Sequence, residues 1–222
     1  MKIQEIKNLL KEELYNILES EGIEELRPAQ EKAIRAGLLN GKNLLICTPT
    51  ASGKTLIAEI AMVNTILSNG GKAVYISPLK ALANEKYNDF RRKYSNLMRI
   101  ALSIGDFDSA DAYLMDYDLI IITSEKLDSL IRHNAPWIPM IRVVIIDEVH
   151  LLNDFERGPT LEILITLLKQ VLKKVQIIAL SATIGNPKVL AEWLNADLII
   201  DDWRPVKLKK GVLHNWEIKF FE

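Results

Sequence analysis

The chain has 222 residues, 49% of them hydrophobic and 26% charged. That is enough apolar material for one large core, and it excludes wholesale disorder. With 28 Lys+Arg against 29 Asp+Glu the formal net charge is −1, so there is no chain-wide basic field, and any contact with a polyanion must be local. The single cysteine, Cys47, has no partner for an internal disulfide and no His at metal-ligand spacing, which predicts a reducing compartment and no zinc module. The first residues lack the pattern of a secretory or transit signal, and no apolar run reaches the roughly 18 to 20 residues needed to span a bilayer. A cytoplasmic protein with no membrane partner is expected.

Over 3–18 the apolar positions Ile6, Leu9, Leu10, Leu14, Ile17 and Leu18 fall at helical spacing and predict one amphipathic helix. Arg27-Pro28 interrupts, and a second helix is predicted over 29–39, closed by Asn40-Gly41. From there short apolar runs alternate with helical stretches. Strands are predicted at 43–47, 73–77, 99–103, 119–123, 143–147, 176–180 and 198–201, and helices at 54–67, 79–94, 125–132, 158–172 and 187–194. Runs such as Leu119 to Ile122 and Val143 to Ile146 are continuously apolar, so both of their faces are buried under helices. The fold class is α/β, a mostly parallel sheet covered by helices on both faces. Beyond Asp201 the pattern breaks, and Trp203-Arg204-Pro205 followed by Val206, Leu208 and Val212 among lysines suggests an edge ribbon or an exit path.

Thr48, Pro49, Thr50, Ala51, Ser52, Gly53, Lys54 and Thr55 lie between a buried strand and a helix, the setting of a phosphate-binding loop. Consecutive N–H groups of small residues and the positive helix end can surround a polyphosphate. Lys54 would neutralise the β- and γ-phosphates, and the Thr55 hydroxyl would ligate Mg²⁺. The general formula has glycine where this chain has Thr48. The bland alternative is a helix start capped by Ser52 or Thr50.

Asp147 and Glu148 stand at the C-terminal end of a buried strand, where open α/β sheets place their ligand crevice. Asp147 would hold the metal, and Glu148 would orient and deprotonate the water that attacks the γ-phosphate. The alternative is a solvated turn. Cys47 reads as a small buried hydrophobe.

In this setting the sequence resembles the superfamily 2 DExH helicases, most closely the archaeal superkiller-type DNA helicases related to the motor half of polymerase theta. Seven ordered segments carry the resemblance: Arg27-Pro28-Ala29-Gln30, Thr48 to Thr55, Ser77-Pro78-Leu79-Lys80-Ala81-Leu82, Ser103-Ile104-Gly105-Asp106, Thr123-Ser124-Glu125-Lys126-Leu127, Asp147-Glu148-Val149-His150 and Ser181-Ala182-Thr183. It implies a RecA-like P-loop domain over 1–202, whose N-terminal helices (1–41) carry the adenine-reading motif, with 203–222 leading toward a second RecA-like domain. Gln30 would read adenine. His150, Ser181 and Thr183 would couple hydrolysis to the nucleic-acid face, and Pro78, Leu79, Lys80, Gly105, Asp106, Thr123, Ser124 and Lys126 would grip the phosphodiester backbone without reading bases. The clusters Arg91-Arg92-Lys93 and Lys207, Lys209, Lys210 are assigned to solvated faces, and the four tryptophans to packing.

The resemblance implies an ATP- and Mg²⁺-dependent DNA helicase or translocase, moving 3′ to 5′ on single-stranded or forked DNA in a repair-related role, with a monomer as the expected state. An RNA substrate and a P-loop ATPase switch without translocation are the alternatives. No arginine-bearing second lobe follows Thr183, so the chain alone is expected to bind ATP weakly, hydrolyse little and unwind nothing.

Overall fold

The computed structural model describes residues 1–105, 111–206, 209, 211–214 and 217–220. Lys207, Leu208, Lys210 and Trp216 lie outside them.

Nine residues of apolar-periodic sequence form α1 (Glu12–Ser20), and Pro28 opens α2 (Pro28–Ala36) at the position where its missing N–H costs nothing. The apolar runs then become strands, each followed by helical or turn-rich chain. In order these are β1 (Leu44–Cys47), α3 (Lys54–Asn69), β2 (Lys72–Ser77), α4 (Lys80–Tyr94), β3 (Ile100–Ser103), β4 (Leu119–Thr123), α5 (Ser124–Arg132), β5 (Ile141–Ile146), α6 (Gly158–Val171), β6 (Gln176–Ser181), α7 (Pro187–Leu194) and β7 (Asp197–Ile200).

The seven strands form one sheet in the order β3-β4-β2-β5-β6-β1-β7, and every neighbouring pair is parallel. Alternate residues of each strand enter one of two cores. Leu44, Ile46, Tyr75, Ile121, Ile145 and Ile178 pack beneath Leu14 of α1, Ala33 of α2, Ile57 of α3 and Phe90 of α4. Leu45, Val74, Ile120, Ile122, Val144 and Ile146 pack beneath Leu127 of α5, Leu164 of α6 and Leu194 of α7. The expected two-sided burial is what makes the strands continuously apolar. Because all seven run the same way, their C-terminal ends share one rim.

Two expected helices differ. The segment predicted as one helix over 3–18 is a 3₁₀ turn (Ile3–Leu9) followed by α1, with Leu10 and Lys11 extended between them. The break is made by tertiary bonds: the Lys11 N–H donates to Asn64 Oδ1 of α3 at 2.9 Å, and the Ile3 N–H to the Glu24 carbonyl at 3.0 Å. The second helix stops at Ala36 instead of 39, because Gly37 takes φ 107° and starts a 3₁₀ turn (Leu38–Asn40).

Beyond the sheet, β8 (Gly211–His214) and β9 (Glu217–Phe220) pair antiparallel as a separate two-stranded sheet, exposed throughout, and do not extend the edge of the main sheet.

Candidate nucleotide and nucleic-acid site

The loop at 48–53 leaves the end of β1 and turns into α3 through two left-handed residues, Ala51 (φ 64°) and Gly53 (φ 91°). Gly53 is the residue that precedes α3, and no side chain caps the helix, which removes the alternative of a Ser52 or Thr50 cap. Instead the Ser52 and Thr48 hydroxyls bond to each other at 2.7 Å inside the loop, and the Thr48 N–H donates to the Ser181 carbonyl at 3.2 Å. Threonine in place of glycine thus closes the loop on itself and pins it to β6. Pro49 is buried, and Thr50 and Ala51 are exposed at the tip. The positive end of a 16-residue helix opens onto this concavity.

Lys54 and Thr55 form the first turn of α3, both half-buried. The Lys54 ammonium folds over the loop and donates to the carbonyls of Thr48 (3.1 Å) and Ser181 (3.0 Å). Burial pushes its pKa below the usual lysine value, against the opposing pull of the Glu148 and Asp147 carboxylates. The acidic pair is therefore within electrostatic reach of Lys54, across the single intervening strand β6.

Asp147 follows β5 directly. Its N–H donates to the Ile76 carbonyl (3.0 Å), its Oδ2 accepts from the Tyr75 phenol, and its Oδ1 accepts the Glu148 N–H at 3.0 Å. Desolvation, and then the Asp147 charge, hold the Tyr75 phenol well above its ordinary pKa, so it stays protonated and donates. Glu148 is left-handed (φ 49°), and its Oε2 lies 3.2 Å from His150 Nδ1. The same Nδ1 stands 3.5 Å from the Ala182 N–H. Protonated, Nδ1 donates to Glu148, and unprotonated it can accept only from Ala182. His150 thus touches both the acidic pair and the turn after β6. Ser181 reaches Lys54 through its carbonyl, while its buried hydroxyl has no hydrogen-bond partner among the described residues, and Thr183 is exposed.

The Thr55 hydroxyl and the Asp147 carboxylate are hard oxygen donors of the kind Mg²⁺ prefers. Among the described residues no group of three or more His, Cys, Asp and Glu side chains forms an all-protein metal cage. A site completed by phosphate oxygens fits this donor set better than a resident structural ion.

Gln30 is 4% exposed, its Oε1 accepts the Arg27 N–H at 2.8 Å, and its Nε2 donates to the Gly53 carbonyl at 3.0 Å. These two bonds tie α2 to the loop and leave one lone pair on Oε1 and one N–H on Nε2 beyond them. A cleft of about 430 Å³ adjoins it, lined by Arg27, Gln30, Gly53, Leu56, Glu59 and Lys93. A cleft of about 910 Å³ lies at the opposite end of the strands near Asn43, Arg142 and Gln176 and includes neither the loop nor the acidic pair.

The expected backbone-gripping residues follow three adjacent strands. Pro78, Leu79 and Lys80 follow β2, with Leu79 and Lys80 exposed; Gly105 follows β3 with φ 110°; Thr123 ends β4 and Ser124 begins α5. Asp106 lies outside the described residues. Lys126 is 3% exposed, and its ammonium pairs with Asp111 at 2.9 Å, whose carboxylate also accepts from the Ser103 hydroxyl at 3.2 Å. A buried cation needs such a partner, and the pairing turns Lys126 inward. Thr123 and Ser124 are buried as well.

Lys93 is likewise no solvated charge, since it pairs with Glu59 at 3.2 Å beside the Tyr94 phenol. Cys47 is buried as expected, and burial raises its thiol pKa. Sequence reasoning assigned no role to Tyr75 or Asp111, and named Arg27 only within its motif segment. Arg27 donates to the Ala51 carbonyl at 2.9 Å and lies over the Trp203 ring. The signal for Tyr75 was a phenol placed between Val74 and Ile76 in a buried strand.

A seven-stranded parallel sheet with a Gly-Lys-Thr loop on one strand and an acidic pair two strands along defines a RecA-like P-loop domain. The family model for the DEAD/DEAH box helicase matches residues 27–190, and the chain belongs to that family. It is 52% identical over 214 residues to the ATP-dependent DNA helicase Hel308 of Thermococcus kodakarensis, covering 96% of this chain and 19% of the relative. The Hel308 of Pyrococcus horikoshii is 52% identical (98% of this chain, 30% of the relative), and that of Methanocaldococcus jannaschii 57% (94% and 18%). The chain therefore spans 18% to 30% of these relatives' length. Among solved structures, the DUF1998 helicase MrfA bound to DNA aligns with TM-score 0.73 at 24% identity, over 87% of this chain and 30% of the other, a likeness of fold.

Proposed function

We propose that the chain is the ATP-hydrolysing N-terminal motor domain of a DNA helicase or translocase. The observation that carries this reading is the convergence of Lys54 with Asp147 and Glu148 across β6. In the proposed complex the triphosphate lies in the loop of Thr48, Pro49, Thr50, Ala51, Ser52 and Gly53, and the Lys54 ammonium leaves the carbonyls of Thr48 and Ser181 for the phosphates. Thr55 and Asp147 hold Mg²⁺, which when bound offsets charge on the phosphate oxygens. Glu148 Oε2 takes the proton of the attacking water, and His150 steadies that carboxylate from behind. Loss of the terminal phosphate changes what Lys54 and the Ser181 segment contact, and Ala182 and His150 connect that change to Thr183.

DNA as the polymer is supported by the names of the relatives, and a nucleic-acid strand as partner by the rim of Pro78, Leu79, Lys80 and Gly105, in which Leu79 and Lys80 are exposed. A single strand, 3′ to 5′ movement, a second RecA-like domain that closes the site, and a monomeric cytoplasmic protein complete the proposal. No helix among the described residues is long and apolar enough to cross a membrane. The test is phosphate release by the full-length protein, which carries the second lobe, with and without single-stranded DNA or RNA. Turnover stimulated by DNA and abolished in E148Q is expected; absence of nucleotide binding, or stimulation by RNA alone, would overturn the proposal.

A further inference from the structure

Tyr75 belongs to none of the seven motif segments, yet it is the protein group that directly holds a metal-site carboxylate from its side chain. It lies in the middle of β2, is fully buried, and pairs in register with Ile145 of β5. Its ring meets the edge of Phe90 at a centroid separation of 5.4 Å and 73° between planes, and Phe90 in turn meets Tyr94 at 6.5 Å. For packing alone phenylalanine would serve at this position, because a buried hydroxyl costs free energy unless it is bonded. Here it is bonded, to Asp147 Oδ2.

Asp147 is thus fixed at both carboxylate oxygens, Oδ2 by the Tyr75 phenol and Oδ1 by the Glu148 N–H, while its own N–H is held by Ile76. A carboxylate offers about four lone-pair directions, so these two bonds still leave acceptor capacity for a cation. They also set the rotation of the carboxyl plane, and through the Glu148 N–H they support the left-handed turn at Glu148.

We propose that Tyr75 is a positioning residue of the nucleotide site: its phenol orients Asp147 so that the metal–nucleotide complex meets a preset oxygen. Outer partners of metal-holding side chains commonly act in this way. The inference rests on the reading of Asp147 as a metal-holding group given above.

The experiment is Mg²⁺ titration of the binding of a fluorescent ATP analogue to the purified protein, with parallel binding in EDTA and a thermal melt. In Y75F the Mg²⁺ midpoint should rise on the order of tenfold or more, while metal-free nucleotide binding and the melting temperature stay close to wild type. Y94F is the comparator: it also removes a buried phenol bond, to Glu59 instead of Asp147, and should leave the Mg²⁺ midpoint in place. If Y75F is too unstable to purify, F90L keeps the phenol and loosens the ring that aims it, and a smaller rise in the same direction is expected. An unchanged midpoint in Y75F, no rise in F90L, or an equal rise in Y94F would overturn the inference alone. A wild-type protein that binds the analogue without Mg²⁺ dependence would overturn the reading of Asp147 and the inference with it.

Discussion

The Lys54 ammonium lies 3.0 Å from the carbonyl oxygen of Ser181, a residue 127 positions further along the chain. The bond joins the first turn of α3 to the end of β6, and so spans the gap between the phosphate loop and the turn that His150 touches. Replacing Lys54 by Ala should keep the fold and lower nucleotide affinity by roughly ten- to hundredfold, the range for one bond to a charged group (~1.5–3 kcal/mol). Titration with a fluorescent ATP analogue checks this.

Glu148 should separate binding from chemistry. E148Q retains shape and hydrogen bonding but has no base, so nucleotide affinity is expected to stay near wild type while phosphate release falls by about 10² to 10⁴. Equal losses in both would assign Glu148 to binding.

Gly53 and Gly41 both have positive φ, but only Gly53 is crowded. A Cβ there would stand 2.5 Å from Gln30 Nε2 and 3.0 Å from Arg27 Nη1, whereas Gly41 faces open space. G41A should cost about 1–2 kcal/mol of stability, the strain of a left-handed side chain. G53A should cost more and also weaken nucleotide binding, since it displaces the two side chains that tether the loop. Denaturant melts of both variants provide the comparison.

Because Gln30 bonds Gly53 and Arg27, Q30A should lower the stability of the nucleotide-free protein by about 1–3 kcal/mol for buried groups left unsatisfied, read from a denaturant melt. A variant as stable as wild type would count against the tether.

Asp201 follows β7 and meets Lys32 of α2, with an oxygen 2.8 Å from the ammonium. Burial raises its carboxyl pKa, but the Lys32 bond, the Trp203 N–H and the Lys32 charge together outweigh it, and the net value falls below the ordinary 3.8. A lowered carboxyl pKa means stability that is complete above the unfolded value and lost as pH falls through the folded one. Thermal melts below pH 4 should therefore decline more steeply in wild type than in K32A, and parallel curves would count against the pairing.

The sheet was legible because two-sided burial writes itself as unbroken apolar runs; β4 is Leu-Ile-Ile-Ile-Thr and fully buried. The loop and the acidic pair were legible because their chemistry is carried by consecutive residues. What escaped depends on partners remote in sequence. The break at Lys11 needs Asn64, and the tether from Gln30 to the loop needs the carbonyl of Gly53. Lys126 looked available for phosphate because nothing local marks Asp111, a residue in a left-handed turn, as its partner. Tyr75 read as one more strand residue, since its only functional contact is on the neighbouring strand.

The central claim is that one metal–nucleotide complex bridges the head of α3 and the end of β5. A crystal structure with Mn²⁺ and a non-hydrolysable ATP analogue tests it most directly. The account predicts an anomalous peak in contact with the Thr55 hydroxyl and the Asp147 carboxylate, with Lys54 turned from Ser181 to the phosphates. A peak bound by other residues, or a nucleotide seated away from the loop, would contradict it.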